Sequence, residues 1–228
     1  MSGQVGGQTR GQTKGVFVTG TGTDVGKTVA SAWLALGLGA DYWKPIQTGV
    51  ADSGPAGSGV AGSDAAEVAR LAPGVIIHPS AVVLPDPLSP HEAARRAGLR
   101  IDPAALLPPA TQRPLVVEGA GGALVPINET FLMADLMQRL GLPVVVVAHT
   151  GLGTINHTLL TLEALRSRGL ALLGVILSGQ PDAANRAAIE HFGRIAVVGE
   201  LPRLATVTAQ ALAALPPPPP GLLPKDAP

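Results

Sequence analysis

Apolar and polar positions fall into two kinds of segment. GVFVTG (15–20), LVV (115–117), VVVVA (144–148) and LALLGVIL (170–177) are apolar on successive residues. Such runs mark strands buried on both faces, as in a parallel sheet. Between them lie segments of helical character: KTVASAWLALGLG (27–39), FLMADLMQRLG (131–141), TINHTLLTLEALRSRG (154–169), AANRAAIEHFG (183–193) and the region near ATVTAQALAAL (205–215). DYWKPIQTG (41–49) reads as a short strand running into a turn, DAAEVARLA (64–72) as a short helix, and RIAVVGE (194–200) as a strand. The strand in PLVVEGAGG (114–122) is expected to end at Glu118, with the glycines forming a turn. Residues 73–114 carry many prolines and no period, so loops and short helices are expected there. Strands alternating with helices predict an α/β fold of three layers, a mostly parallel sheet flanked by helices. Ligands in such sheets bind beyond the carboxyl ends of the strands.

Composition narrows this picture. A length of 228 residues with 46% hydrophobic and 14% charged residues supports a substantial core, filled mainly by aliphatic side chains because only 3% are aromatic. The pattern predicts one domain over 15–215, a disordered tail at 1–14 and a loose, extended proline-rich tail at 216–228. The stretch VADSGPAGSGVAGS (50–63) reads as a flexible loop. A net charge of zero argues against nucleic acid as a partner. No apolar run approaches the length of a membrane span, and the first residues lack the apolar core of a secretory signal. The absence of cysteine excludes disulfides and thiolate chemistry and fits a reducing compartment, so a cytoplasmic location is expected. The five histidines show no metal-binding spacing.

GTGTDVGKT (20–28) sits between the first strand and the first helix, the setting of a phosphate-binding loop. Five residues separate Gly20 from Gly26, where the common G-x-x-x-x-G-K-[ST] pattern has four, and Asp24 places an acid within the loop. Backbone N–H groups from Asp24, Val25 and Gly26 to Val29 can face an anion at the positive end of the helix. Lys27 adds a charge for the β- and γ-phosphates, and Thr28 offers a hydroxyl to Mg²⁺. The fold expected is therefore of the P-loop nucleotide hydrolase type.

Glu118 ends an apolar strand, the place where nucleotide hydrolases hold an acid for Mg²⁺. Gly119, Ala120 and Gly121 after it would let backbone approach a ligand closely. Asp64 can be a second acid of this kind or merely the start of a helix. Lys44 follows an apolar strand and can emerge at the ligand edge or face solvent. Thr48 and Gly49 beside it can supply a hydroxyl and an N–H.

The motifs GTGTDVGKT, WKPIQTG, SDA, SPHEAA, VEGAGG and LGTINHTLLT, in this order and spacing over residues 15–204, resemble dethiobiotin synthetase. The resemblance implies closure of a ureido ring from 7,8-diaminononanoate, CO₂ and ATP or another nucleoside triphosphate. It implies Mg²⁺ held by Thr28, Asp64 and Glu118, with Lys44 and Lys27 as the catalytic cations. It places Thr48 against the substrate, and Gly151, Gly153 and Asn156 against the substrate's carboxylate tail across the interface of a homodimer with shared sites. Asp24 can be accommodated because the substrate is a diamine and brings cationic character.

Leu201, Pro202 and Arg203 match a segment lining the nucleotide base. Ser178 and Gly179 stand where many members carry Asn-Asp, which predicts weak reading of adenine. Three alternatives fit less well. A partitioning ATPase often has a second lysine early in the loop, where Thr21 and Gly22 stand. A GTPase would carry N-K-x-D. A cobalamin-type amidoligase would carry a further glutaminase domain.

Overall fold

The computed structural model describes residues 14–50 and 62–223, so the expected tail at 1–14, its last residue excepted, and most of the loop at 50–63 lie outside the described residues. The order of elements is β1 (Gly15–Gly20), α1 (Lys27–Leu38), β2 (Asp41–Trp43), β3 (Ile46–Thr48), α2 (Asp64–Leu71), β4 (Ile77–His78), β5 (Val82–Leu84) and α3 (Pro90–Arg96). A 3₁₀ turn (Pro103–Ala105) leads to β6 (Leu115–Gly122), α4 (Met133–Leu140), β7 (Val144–His149), α5 (Thr154–Arg166), β8 (Leu172–Ser178), α6 (Ala183–Gly193), β9 (Val197–Leu201) and α7 (Ala209–Ala213). Seven strands form one sheet in the order β4-β2-β6-β1-β7-β8-β9. Every pairing in it is parallel.

The central strand β1 is buried along its whole length. Its alternate side chains feed two cores. Phe17 packs with Leu115, Val117, Val144, Val146, Met133 and Leu162 on one face. Val16 and Val18 pack with Trp33, Leu34, Tyr42, Val68 and Ile176 on the other. Burial on both faces explains the uninterrupted apolar runs.

Three local expectations are corrected. DYWKPIQTG is two strands, not one: β2 joins the main sheet, whereas β3 pairs with β5 in a separate two-stranded sheet. Pro45 divides them, since it has no N–H to continue a ladder, and its carbonyl instead accepts from Ala81 and Val82 N–H at 2.9 and 3.1 Å. The strand ending in Glu118 continues to Gly122, where it still pairs with Gly20 of β1 after an irregularity. The proline-rich segment is packed, at least over 216–223. Pro216 O accepts from Trp33 Nε1 at 2.9 Å, and Leu222 is buried in the core beside α1.

Candidate active site

Four strand ends converge on the loop between β1 and α1. Thr21 N–H donates to Val147 O at 3.0 Å, which pins the loop to β7. Gly26 caps α1 with φ 92°, a conformation suited to glycine. A Cβ there would come within 2.4 Å of Ser178 Oγ at the end of β8. Gly26 thus serves close packing as well as the turn. Asp24 also has a positive φ, 56°, and its side chain is exposed at the rim. Water screens a carboxylate at that exposed position, which limits its repulsion of a bound anion.

Lys27 lies across the loop, its Nζ donating to Gly22 O at 2.8 Å. Burial holds its ammonium below the usual lysine range, with Lys44 acting in the same direction and Glu118 and Asp64 opposing it. Thr28 Oγ1 lies 2.8 Å from Asp64 Oδ1 and 3.1 Å from Glu118 Oε1. Glu118, 1% exposed, also receives Tyr42 OH on Oε2 at 3.0 Å and Lys44 Nζ on Oε1 at 2.9 Å. A buried carboxylate needs such partners.

Lys44 bridges the two acids, with Nζ 2.8 Å from Asp64 Oδ2. Burial alone would lower its pKa, but Glu118 and Asp64 outweigh that and hold it above the usual lysine value. Asp64 is pulled the other way: burial raises it, and Lys44, Thr28 and Gln47 together bring it below the usual carboxylate range. Burial, reinforced by Glu118, keeps the Tyr42 phenol protonated far into alkaline pH. Asp64 is therefore an anion and Lys44 an ammonium at neutral pH.

These groups open into a cavity of about 810 Å³ lined by residues of the loop, Lys44, Gln47, Thr48, Asp64, Glu118, Ala120 and Gly121, and closed by 87–90. Thr28, Asp64 and Glu118 offer only oxygen, two of them carboxylates. That suits Mg²⁺, which usually takes one or two carboxylates and completes its shell with phosphates and water.

Not every expected residue lies here. Gly119 belongs to packing: a Cβ on it would meet Phe17 Cε1 at 2.9 Å, although its carbonyl faces Lys44 Nζ at 3.5 Å. Gly121, with φ 67°, does line the cavity, beside Val125. Gly153 and Asn156 line a separate hollow of about 690 Å³ with Thr150, Leu152, Asp182 and Asn185. Gly151 stands beside it, donating to His149 Nδ1 at 2.8 Å. Ser178, Gly179, Leu201, Pro202 and Arg203 are not in the large cavity's lining. Gly179 N–H donates to Leu201 O at 2.9 Å, which joins the ends of β8 and β9. A Cβ on Gly179 would lie 2.5 Å from Thr150 Oγ1.

Gln47 was missed by the sequence reading. It is buried, and its Oε1 accepts from Asp64 N–H at 3.2 Å while its Nε2 donates to Thr48 O at 2.9 Å. It ties the start of α2 to β3. An amide in the middle of the short IQT strand, close to the candidate Lys44, was the available signal.

Comparison with known proteins agrees with this geometry. A family profile described as an AAA domain matches residues 14–211. The chain is 64% identical over 205 residues to an ATP-dependent dethiobiotin synthetase of Paramagnetospirillum magneticum, covering 90% of this chain and 96% of the relative. It is 54% identical over 201 residues to a bifunctional biotin biosynthesis protein of Bordetella avium, covering 87% of this chain and 42% of that longer protein. Among solved structures, a ParA family ATPase from Chlorobium tepidum superposes with a TM-score of 0.56 at 11% identity, covering 89% of each chain. The Pyrococcus furiosus cell division ATPase MinD gives 0.52 at 17% identity, covering 83% of each. The structural likeness establishes the P-loop ATPase fold alone, while the sequence identity goes further: the chain belongs to the dethiobiotin synthetase family.

Proposed function

We propose that the chain closes the ureido ring of dethiobiotin from 7,8-diaminononanoate, CO₂ and ATP, a ligase reaction of biotin biosynthesis. The observation that carries this reading is the meeting of Lys44 with Thr28, Asp64 and Glu118 beside the phosphate loop, in a cavity large enough for a second reactant. One substrate amine adds to CO₂ and loses a proton, giving a carbamate. A carbamate oxygen attacks the γ-phosphorus, and ADP leaves. The second amine attacks the resulting carbonyl, and phosphate leaves with the carbamate oxygen it acquired.

The nucleophile and the migrating group are both anions, so positioning and positive charge dominate the catalysis. Lys27 and the loop N–H groups hold the phosphates, and Lys44 faces the carbamate and the γ-phosphoryl group. Thr28, Asp64 and Glu118 would hold Mg²⁺, whose charge offsets that of the triphosphate. Thr48 contacts the substrate at the cavity wall. Phosphate release that requires both the diamine and bicarbonate supports this reading. Slow release indifferent to both would favour a nucleotide switch instead.

The working unit is proposed to be a homodimer in which Gly151, Gly153 and Asn156 of the partner subunit meet the substrate's carboxylate. The exposure of Leu152, 104%, in the lining of the hollow formed with Gly153 and Asn156 supports an interface there. Sedimentation should give a dimer at working concentration. Mixing inactive Lys44→Met and Asn156→Ala subunits should restore part of the activity, and an active monomer would refute the arrangement.

Base discrimination should be weak. Ser178 offers one short hydroxyl, already against Gly26, and Gly179 has no side chain. Only the backbone near Leu201, Pro202 and Arg203 is then proposed to touch the base. Each missing hydrogen bond forfeits about 0.5–1.5 kcal/mol. The ratio of kcat/KM between ATP and CTP, GTP or UTP should therefore be about tenfold or less. A hundredfold preference for ATP would contradict this.

A further inference from the structure

The C-terminal segment touches both helices whose first residues carry the candidate metal ligands. α1 begins at Lys27 and Thr28, and α2 begins at Asp64. Arg70, in the last turn of α2, donates to Val207 O at 2.9 Å. α7 packs against both α1 and α2, and its Leu212 is buried in their shared core.

The chain then turns along α1 rather than leaving it. Pro216 O accepts from Trp33 Nε1 at 2.9 Å. Pro218 is buried against Gly37, where an added Cβ would lie 2.1 Å from Pro218 Cδ. Leu222 N–H donates to Pro219 O at 3.1 Å, closing a turn that returns the Leu222 side chain to the core. Trp33 is wedged on its other side, with its ring where a Cβ on Gly199 of β9 would be.

Gly37 sits inside a helix, where glycine is among the weakest helix formers. The contact with Pro218 is a physical reason for it. Five consecutive prolines, 216–220, already favour an extended backbone, so docking them costs little conformational entropy.

We propose that residues 207–223 act as a brace that fixes α1 against α2 and so sets the spacing of Thr28 and Asp64 for nucleotide binding. Trp33, Gly37, Pro218 and Leu222 are positioning residues in this device, far from the reacting atoms in role. The proposal rests on reading Thr28 and Asp64 as ligands of the metal–nucleotide complex. Without the brace, the nucleotide itself must order the two helix starts, which weakens binding while leaving the assembled site intact.

The test uses the full chain, with Mg²⁺-ATP binding followed by calorimetry, melting measured without ligand, and kcat at saturating ATP. Gly37→Ala should lower the melting point despite alanine's better helix propensity and weaken ATP binding about tenfold, or 1.4 kcal/mol. Trp33→Phe, which removes the indole donor together with part of the buried ring system, should weaken it about threefold; both variants should keep kcat within about twofold. A raised melting point with unchanged affinity in Gly37→Ala would show that the segment does not dock. A lowered melting point with unchanged affinity would leave it a structural strap and overturn the brace. If Gly37→Ala fails to fold, Trp33→Phe decides by affinity alone. Thr28→Ala separates the two readings: undiminished Mg²⁺-ATP binding in that variant would overturn the ligand assignment, whatever the brace variants do.

Discussion

Replacing Lys44 with methionine is expected to lower turnover about 10²–10³-fold, equivalent to about 3–4 kcal/mol of transition-state stabilisation. The ammonium lies 2.8 Å from Asp64 and 2.9 Å from Glu118, within the cavity where carbamate and γ-phosphoryl group are proposed to meet. It is the partner of two carboxylates, so its loss also affects stability. Breaking a buried pair typically costs about 3–5 kcal/mol, and here the partial exposure of Asp64, 36%, moderates that. The melting point without metal should therefore fall. Added Mg²⁺ should raise it more in the variant than in the unsubstituted protein, because the two acids are then without their internal counter-ion. Near-normal turnover would remove Lys44 from the catalytic assignment. Equal Mg²⁺ stabilisation of both proteins would separate Lys44 from the metal ligands.

Glu118→Gln should be nearly as damaging to turnover, about 10²-fold or more, through a different route. Glu118 collects Tyr42 of β2, Lys44 just beyond that strand and Thr28 of α1 around one carboxylate. An amide of the same shape keeps the packing but loses the charge, and its NH₂ group turns a donor toward donors. The expected signature is a large loss of kcat and a higher Mg²⁺ requirement, with the fold retained. Tyr42→Phe removes only the 3.0 Å phenol contact and should cost about tenfold or less. A Glu118→Gln enzyme with unaltered Mg²⁺ dependence would place the metal elsewhere.

The most legible parts of this chain were those whose signal is local. β1, the phosphate loop and the start of α1 occupy consecutive residues, and the apolar run before Glu118 fixed that acid at the ligand edge. Asp64 was ambiguous because a helix-starting acid and a metal-facing acid have the same neighbours in sequence. Only the fold brings Thr28, Lys44 and Gln47 to it, across separations of 36, 20 and 17 residues. β4 and β5 were missed, having two and three residues with partners far along the chain.

Glycine was the least readable residue. The motif suggested that Gly119 admits a ligand; the absence of a side chain there also accommodates Phe17, as at Gly179 it accommodates Thr150. The proline-rich end misled for the same reason. Its composition describes a loose tail, and its packing depends on Gly37, some 180 residues earlier. Close approach is a property of the second surface, which local sequence does not contain.

The central claim is that carbon dioxide enters the ring carbonyl and that one of its oxygens leaves on phosphate. The direct measurement is mass spectrometry of a single incubation with diaminononanoate, ATP, Mg²⁺ and freshly prepared bicarbonate labelled with ¹³C and ¹⁸O. The account predicts dethiobiotin bearing ¹³C in its ureido carbonyl, with one ¹⁸O from the label in the inorganic phosphate released. Phosphate free of the label while ring closure proceeds would contradict attack by the carbamate oxygen. Phosphate release without any labelled ring product would contradict the synthetase assignment itself.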